Sequence, residues 1–214
     1  MRNRLAAARI GVVIYDGVEP IDIGGTVGVV SMASRVLPGI AAITVAASAG
    51  PVRLAGGLTV LASHGFADLP ECDVLVVCGG PGWRDQVNDM AMLGFLRRQA
   101  PAQVASVCTG ALILAAAGLL DGLPATTRRR VAGGEEHAPL QLLPGLGVGV
   151  RPHEALVVDA GVVTGGGVSL AIDATLYLIG RLYGEAALNE VARVTEYDRA
   201  WEANRKALGI LGSP

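Results

Sequence analysis

Aromatic residues are scarce in this chain: Phe, Tyr and Trp make up 4% of its 214 residues, although 51% are hydrophobic. The core therefore has to be assembled from Ala, Val, Leu and Ile, and the 30 glycines imply close packing of helices on strands. Charge of either sign is also in short supply. The 17 basic and 19 acidic residues leave a net −2 at pH 7, which offers no basic field for nucleic acid, so no nucleic-acid partner is expected. Long apolar runs are missing too. Stretches such as Ala111 to Leu120 fall short of the ~20 residues that a bilayer-spanning helix needs, so no membrane partner is expected. The start of the chain, Met1 to Ile10, passes into a strand without a long apolar region ahead of a cleavage site, and it reads as lacking a signal peptide. Three cysteines, Cys72, Cys78 and Cys108, cannot all pair, and their spacing is not that of a zinc site. Free thiols in a cytoplasmic protein are the simplest expectation. Glu135, Glu136 and His137 lack further ligands at suitable spacing, so no metal site is expected.

The length suits one α/β domain spanning residues 1–214, with a core over about 9–195 and a polar C-terminal tail. The stretch around Cys108 organises it. Val104 to Val107 reads as a short apolar strand and Ala111 to Ala117 as an Ala- and Leu-rich helix, with only Cys108, Thr109 and Gly110 between them. A cysteine at so sharp a corner fits a nucleophile elbow, where strained backbone presents one side chain above the sheet edge. The start of a helix would also stabilise a thiolate and lower its pKa. A buried core cysteine is the alternative, because Cys is among the most buried residue types. Gly110 permits close approach of backbone or ligand at that corner.

Taken in order, Arg9 to Tyr15, Ala42 to Ser48 and Asp73 to Cys78 read as strands, the first and last as buried on both faces. Pro51 to Leu54 and Leu58 to Ser63 read as a hairpin. A helix is expected from about Gly25 to Arg35. Asp22, flanked by two isoleucines just ahead of it, is either an N-terminal cap or an acid buried among apolar neighbours with a raised pKa. Gly79, Gly80, Pro81 and Gly82 end the third of these strands in a tight loop whose N–H groups can face a ligand, or in a plain strand-to-helix turn. Helices are expected over Asp89–Ala100, Ser169–Tyr183 and Glu185–Val194, with further short strands at Ala125–Thr127, Ala155–Val158 and Val162–Thr164. Arg128 to Arg130 reads as a solvated or ion-paired face. Strands alternating with helices imply an α/β fold: an open, mostly parallel sheet with helices on both faces, a flavodoxin-like sandwich whose ligands bind beyond the carboxyl ends of the strands. Three such ends carry Gly79-Gly80, Cys108-Thr109-Gly110 and Gly165-Gly166-Gly167.

Together these motifs resemble the ThiJ/PfpI superfamily, related in fold to class I glutamine amidotransferases. The resemblance runs from about Arg9 to Tyr197. Val107-Cys108-Thr109-Gly110-Ala111 matches the elbow, Val77-Cys78-Gly79-Gly80-Pro81-Gly82 the glycine loop, and Ile21-Asp22-Ile23-Gly24-Gly25 the segment supplying an acid beside the cysteine. Ala125-Thr126-Thr127 and Thr164-Gly165-Gly166-Gly167 also match, with Asp173 following. Within the superfamily the elbow and Asp22 look most like isocyanide hydratases. The resemblance implies a small-molecule substrate, an isocyanide, hydrated to an N-substituted formamide through a cysteine thioimidate, with no cofactor. Cys108 would be the nucleophile and Asp22 the neighbouring acid. Thr109, Gly79, Gly80, Gly110, Gly165 and Gly166 would surround the adduct. A homodimer is expected. Two other functions share the cysteine: a stand-alone ligand or oxidant sensor like the sensor half of AraC-type regulators, and a glyoxalase- or deglycase-like enzyme.

Overall fold

The computed structural model describes residues 7–212; the reading of Met1 to Ala6 lies outside the described residues. Twelve strands are present among them: β1 (Ala8–Val13), β2 (Ile40–Ala46), β3 (Gly50–Arg53), β4 (Thr59–Ala62), β5 (His64–Gly65), β6 (Val74–Val77), β7 (Val104–Ser106), β8 (Pro124–Ala125), β9 (Arg151–Pro152), β10 (Val157–Asp159), β11 (Val163–Gly165) and β12 (Ile210–Leu211). The helices are α1 (Pro20–Ile23), α2 (Val29–Ala33), α3 (Trp83–Gln86), α4 (Met90–Arg97), α5 (Gly110–Ala116), α6 (Pro139–Leu146), α7 (Ala171–Tyr183), α8 (Glu185–Val194) and α9 (Asp198–Leu208).

Eight strands form one sheet in the order β12-β10-β11-β7-β6-β1-β2-β5, parallel throughout except for the β10–β11 pair. The centre, β1, β6 and β7, is built of Val, Ile, Leu and Ala. β-branched side chains favour strands, and no polar face is needed where helices cover both sides. α1, α2, α7 and α8 pack together on one face, and α3, α4, α5 and α6 on the other. With so few aromatics, the two layers close on aliphatic side chains such as Ile10, Ile14, Leu112, Ile113, Leu114 and Leu176, all fully buried. Each contributes roughly 1.5–3 kcal/mol by leaving water. Phe66 and Phe95, the only phenylalanines, stack with ring centroids 4.1 Å apart.

The register sets the position of the site. Val13 lies opposite Val77, Val77 opposite Ser106, and Ser106 opposite Thr164. Four strands therefore end level, and the segments that follow them leave from one edge. β2 lies on one side of β1 and β6 on the other, so the chain reverses its direction of growth at β1. Such a switch point opens a crevice at the carboxyl ends of the strands.

Several expectations are revised here. The first helix begins at Pro20, five residues early, and passes through a π-helical segment, Gly24–Gly28, before α2. Asp22 is consequently inside α1 rather than its cap; Glu19 holds the cap position. α6 was not expected; it carries Pro139 at its start and Pro144 inside. Pro139 sits in the first helical turn, where its missing N–H costs nothing, and the Gln141 side chain accepts from the Ala138 N–H at 3.1 Å. The polar tail is a regular helix, α9, that buries Trp201 and returns as β12 to extend the sheet beside β10.

Candidate active site

Cys108 stands at the corner between β7 and α5 with φ +50°. A left-handed conformation costs a residue with a Cβ about 1–2 kcal/mol, so the surroundings must hold it. They do so on both sides of the residue. The Cys108 N–H donates to the Gly166 carbonyl at 3.0 Å, and the Thr127 hydroxyl donates to the Cys108 carbonyl at 2.5 Å. Gly110 is dictated by the same corner: a Cβ there would lie 2.1 Å from the Val77 carbonyl oxygen. Val168 is a second strained residue, at φ +55°, an outlier for a β-branched side chain. Its N–H is turned toward the Cys108 sulfur.

Asp22 reaches the corner from α1. Its carboxyl is fully buried; Oδ2 accepts from the Gly79 N–H at 2.7 Å, and Oδ1 has no hydrogen-bond partner. The Cys108 thiol is a neighbour of this carboxyl that favours its charged form. Burial pushes the Asp22 carboxyl up to about 7, against the pull of the Gly79 N–H. Burial likewise pushes the Cys108 thiol up to about 12, assisted by the Asp22 charge, while the Val168 and Thr109 N–H groups and the Arg128 guanidinium act in the opposite sense. The expected lowering of the Cys108 pKa at a helix start is thus reversed. Cys108 is only 3% exposed and shares its burial with a carboxylate, and those terms outweigh a few oriented N–H groups. The resting form is the thiol. A thiolate has to be made by moving its proton, and Asp22 is the titratable group placed beside it.

The glycines expected to donate to an adduct have other duties. The Gly79 N–H is engaged by Asp22, and the Gly80 N–H donates to Thr109 Oγ1 at 2.8 Å. A Cβ on Gly79 would sit 2.4 Å from the Thr109 nitrogen. Gly80, with φ +143°, borders the cleft. Thr109, its hydroxyl committed to Gly80, locks the glycine loop to the elbow. Gly165 pairs with Val157 in the sheet, and the Gly166 N–H donates to the Leu156 carbonyl. The N–H groups turned to the sulfur belong instead to Val168 and Thr109.

Cys108 and Thr109 open into a cleft of about 460 Å³ whose wall includes Trp83, Arg84, Arg128, Glu135 and Val168. The Arg84 guanidinium lies over the Trp83 ring, 4.7 Å from its centroid. Cys78, at the end of β6, is fully buried, and its thiol is pushed well up by burial. Among the described residues no group of three or more His, Cys, Asp or Glu is placed to hold a metal ion, and no helix is long and apolar enough to cross a membrane.

A strained cysteine at a strand-to-helix corner, with a buried acid beside it, corresponds to what sequence comparison returns. The family model described as DJ-1/PfpI matches residues 8–179. The chain belongs to the DJ-1/PfpI family. It is 35% identical over 193 residues to the isonitrile hydratase of Pseudomonas putida, covering 89% of this chain and 79% of that one. It superimposes on the crystal structure of a ThiJ/PfpI family protein from Pseudomonas syringae with a TM-score of 0.75 at 30% identity, over 90% of this chain and 76% of the other. A different kind of relative is the HTH-type transcriptional regulator GbdR of Pseudomonas aeruginosa, 29% identical over 145 residues, which are 67% of this chain and 37% of the regulator.

Within this DJ-1/PfpI chain, residue-by-residue reading located Cys108 and Asp22 but passed over the cleft wall. Arg128 reads in sequence as part of a solvated or ion-paired face. In the structure Arg129 pairs with Glu154 on the surface, whereas Arg128 turns into the cleft and pairs with Glu135 at 2.6 Å. The position of Arg128 directly after Thr126-Thr127 was the available signal. His64, His137 and His153 are not part of the cleft wall.

Proposed function

We propose that this protein is a cofactor-independent enzyme that hydrates a small isocyanide to an N-substituted formamide. The observation that carries the reading is the pairing of a strained, cleft-lining Cys108 with Asp22, a buried carboxyl left with an open hydrogen-bonding position on Oδ1. The likeness to isonitrile hydratase names the reaction. The Cys108 proton passes to Asp22 and the thiolate attacks the terminal carbon of the isocyanide. Asp22 returns the proton to that carbon, giving a thioimidate, S–CH=N–R. The Val168 and Thr109 N–H groups face the sulfur and stabilise the charge that develops there. Water then adds to the same carbon, the C–S bond breaks, sulfur regains a proton, and R–NH–CHO leaves. The atoms balance as isocyanide plus water.

The likeness to GbdR favours one other reading: a ligand-sensing domain with a thiol and no turnover. Panels of isocyanides and dicarbonyls, assayed with the wild type and Cys108→Ala, decide between them. Steady formamide release by the wild type that Cys108→Ala abolishes is the expected result. Release of a 2-hydroxyacid from dicarbonyls alone points to glyoxalase- or deglycase-like chemistry, and ligand binding without product points to a sensor.

A further inference from the structure

Arg128 is held more firmly than a surface arginine. Its Nη2 donates to Glu135 Oε1 at 2.6 Å and its Nη1 to the Arg130 carbonyl at 2.5 Å, and the second oxygen of Glu135 accepts from the Ala132 N–H at 2.9 Å. Both side chains of the pair are largely buried, at 14% and 16% exposure. The backbone is fixed as well. Thr127, the preceding residue, donates to the Cys108 carbonyl, and the Arg128 carbonyl accepts from the Leu140 N–H at 3.0 Å. Gly167 makes room for the side chain, since a Cβ there would lie 2.5 Å from Arg128 Cβ. Arg128 and Cys108 line the same cleft. A guanidinium cannot act as a base in a protein, so what such a group supplies at a nucleophile is fixed charge and hydrogen bonds.

We propose that Arg128, held by Glu135, is a further residue of the Cys108 site, and that its fixed positive charge draws the negative charge of the Cys108–Asp22 pair onto sulfur as the thiol proton passes to Asp22. The inference rests on the reading of Cys108 as a nucleophile, and not on the isocyanide. Proton transfer from Cys108 to Asp22 leaves the net charge of the pair unchanged and only relocates it, so what matters is which of the two a cation stands nearer. Cys108 and Arg128 both line the cleft, whereas Asp22 is fully buried behind it and forms no part of its wall, so the cation stands on the sulfur's side of the pair. Other titratable groups that face Cys108 are Asp22 from α1, Tyr15 beyond β1 and Cys78 at the end of β6, with Glu19, Arg84 and Glu135 on the cleft wall. Of the two cations on the cleft wall, Arg84 lies over the Trp83 ring, and Arg128 is the one whose neighbour Thr127 is bonded to the Cys108 carbonyl.

The test is the rate of Cys108 alkylation by iodoacetamide at pH 7 and pH 9, read by peptide mapping so that Cys72 and Cys78 do not contribute. Arg128→Gln is expected to slow alkylation roughly 10-fold at both, the thiolate lost to a shift of about one pH unit. Arg128→Lys keeps the charge without the fork and is expected to stay within about 3-fold of the wild type. An unchanged rate in Arg128→Gln overturns the proposal. So does equal slowing in both variants, which would give Arg128 a packing role. Should Arg128→Gln fail to fold, Arg128→Met, which keeps the length of the side chain without its charge, is read against the same two outcomes. Because no isocyanide enters the measurement, slowed alkylation of Arg128→Gln in a protein that hydrates none supports Arg128 and removes only the hydratase reading.

Discussion

Two aspartates are wholly buried among the described residues, and they are used in opposite ways. Asp22 and Asp173 both lie in the first turn of a helix, where the helix dipole favours a negative charge, and both are fully shielded from solvent. Asp173 is surrounded by donors. The Tyr197 hydroxyl reaches its Oδ2 at 2.9 Å, and Asn204 Nδ2 lies 3.1 Å from Oδ2 and 3.3 Å from Oδ1. Those groups restrain the effect of burial, and its carboxyl is raised to about 6. Asp22 has one donor, the Gly79 N–H, and is raised to about 7. A satisfied buried carboxyl pins two elements together, here α7 to the cap residue and the second turn of α9. A buried carboxyl with an open oxygen costs about 1–3 kcal/mol in lost solvation, and a fold retains such a group where something else must use that oxygen. Only Asp22 stands beside a cleft-lining thiol.

The contrast is broken most directly by removing the acid at the site. Asp22→Asn is expected to keep the fold and slow isocyanide turnover by roughly 10²-fold or more, the scale for losing a positioned acid or base; unchanged steady-state kinetics would reduce Asp22 to a structural residue like Asp173. The pH dependence of stability sharpens the same point. Both folded-state values, about 7 and about 6, lie above the ~3.9 of an unfolded aspartate. The native protein therefore binds more protons than the unfolded chain between about pH 4 and pH 7, and its stability falls as pH rises through that window. Urea midpoints at about pH 4.5 and pH 7.5 should show Asp22→Asn losing less stability than the wild type over the interval, and a slope identical to wild type would contradict the raised Asp22 value. Asp173→Ala is expected to lose about 1–3 kcal/mol in urea unfolding, because the Tyr197 hydroxyl and Asn204 amide lose their acceptor, while Cys108 alkylation is left unchanged. Slowed alkylation in that variant would mean the two aspartates are coupled. The smallest effect should come from Tyr197→Phe, about 0.5–1.5 kcal/mol for one hydrogen bond, with turnover retained.

Local chemistry carried the reading of the fold a long way. β-branched runs separated by turn residues placed the central strands to within two residues, and their near-continuous apolarity required a sheet covered on both faces. The strand, three residues and helix around Cys108 placed a cysteine at the corner, where the backbone takes φ +50°. α6 and β12 were not legible. α6 carries two prolines that argue against a helix in isolation, and β12 is two residues whose strand identity exists only because β10 offers an unpaired edge.

The division at the site follows the same physical line. Sequence by itself determined which side chains could do chemistry and where the chain had to turn, because residue type, β-branching and the need for glycine at a crowded corner act over a few neighbouring positions. Tertiary structure alone decided protonation and partners. The Cys108 thiol is raised rather than lowered because β1, β6, β7 and the helices over them exclude water from it and set Asp22 beside it, 86 positions away in the chain. The N–H groups of Gly79 and Gly80 are taken by Asp22 and Thr109, leaving Val168 to face the sulfur, and Arg128 leaves the surface for the cleft because Glu135 folds back to meet it. Desolvation and Coulomb energy depend on distances through space, and those distances come into being only when the strands align.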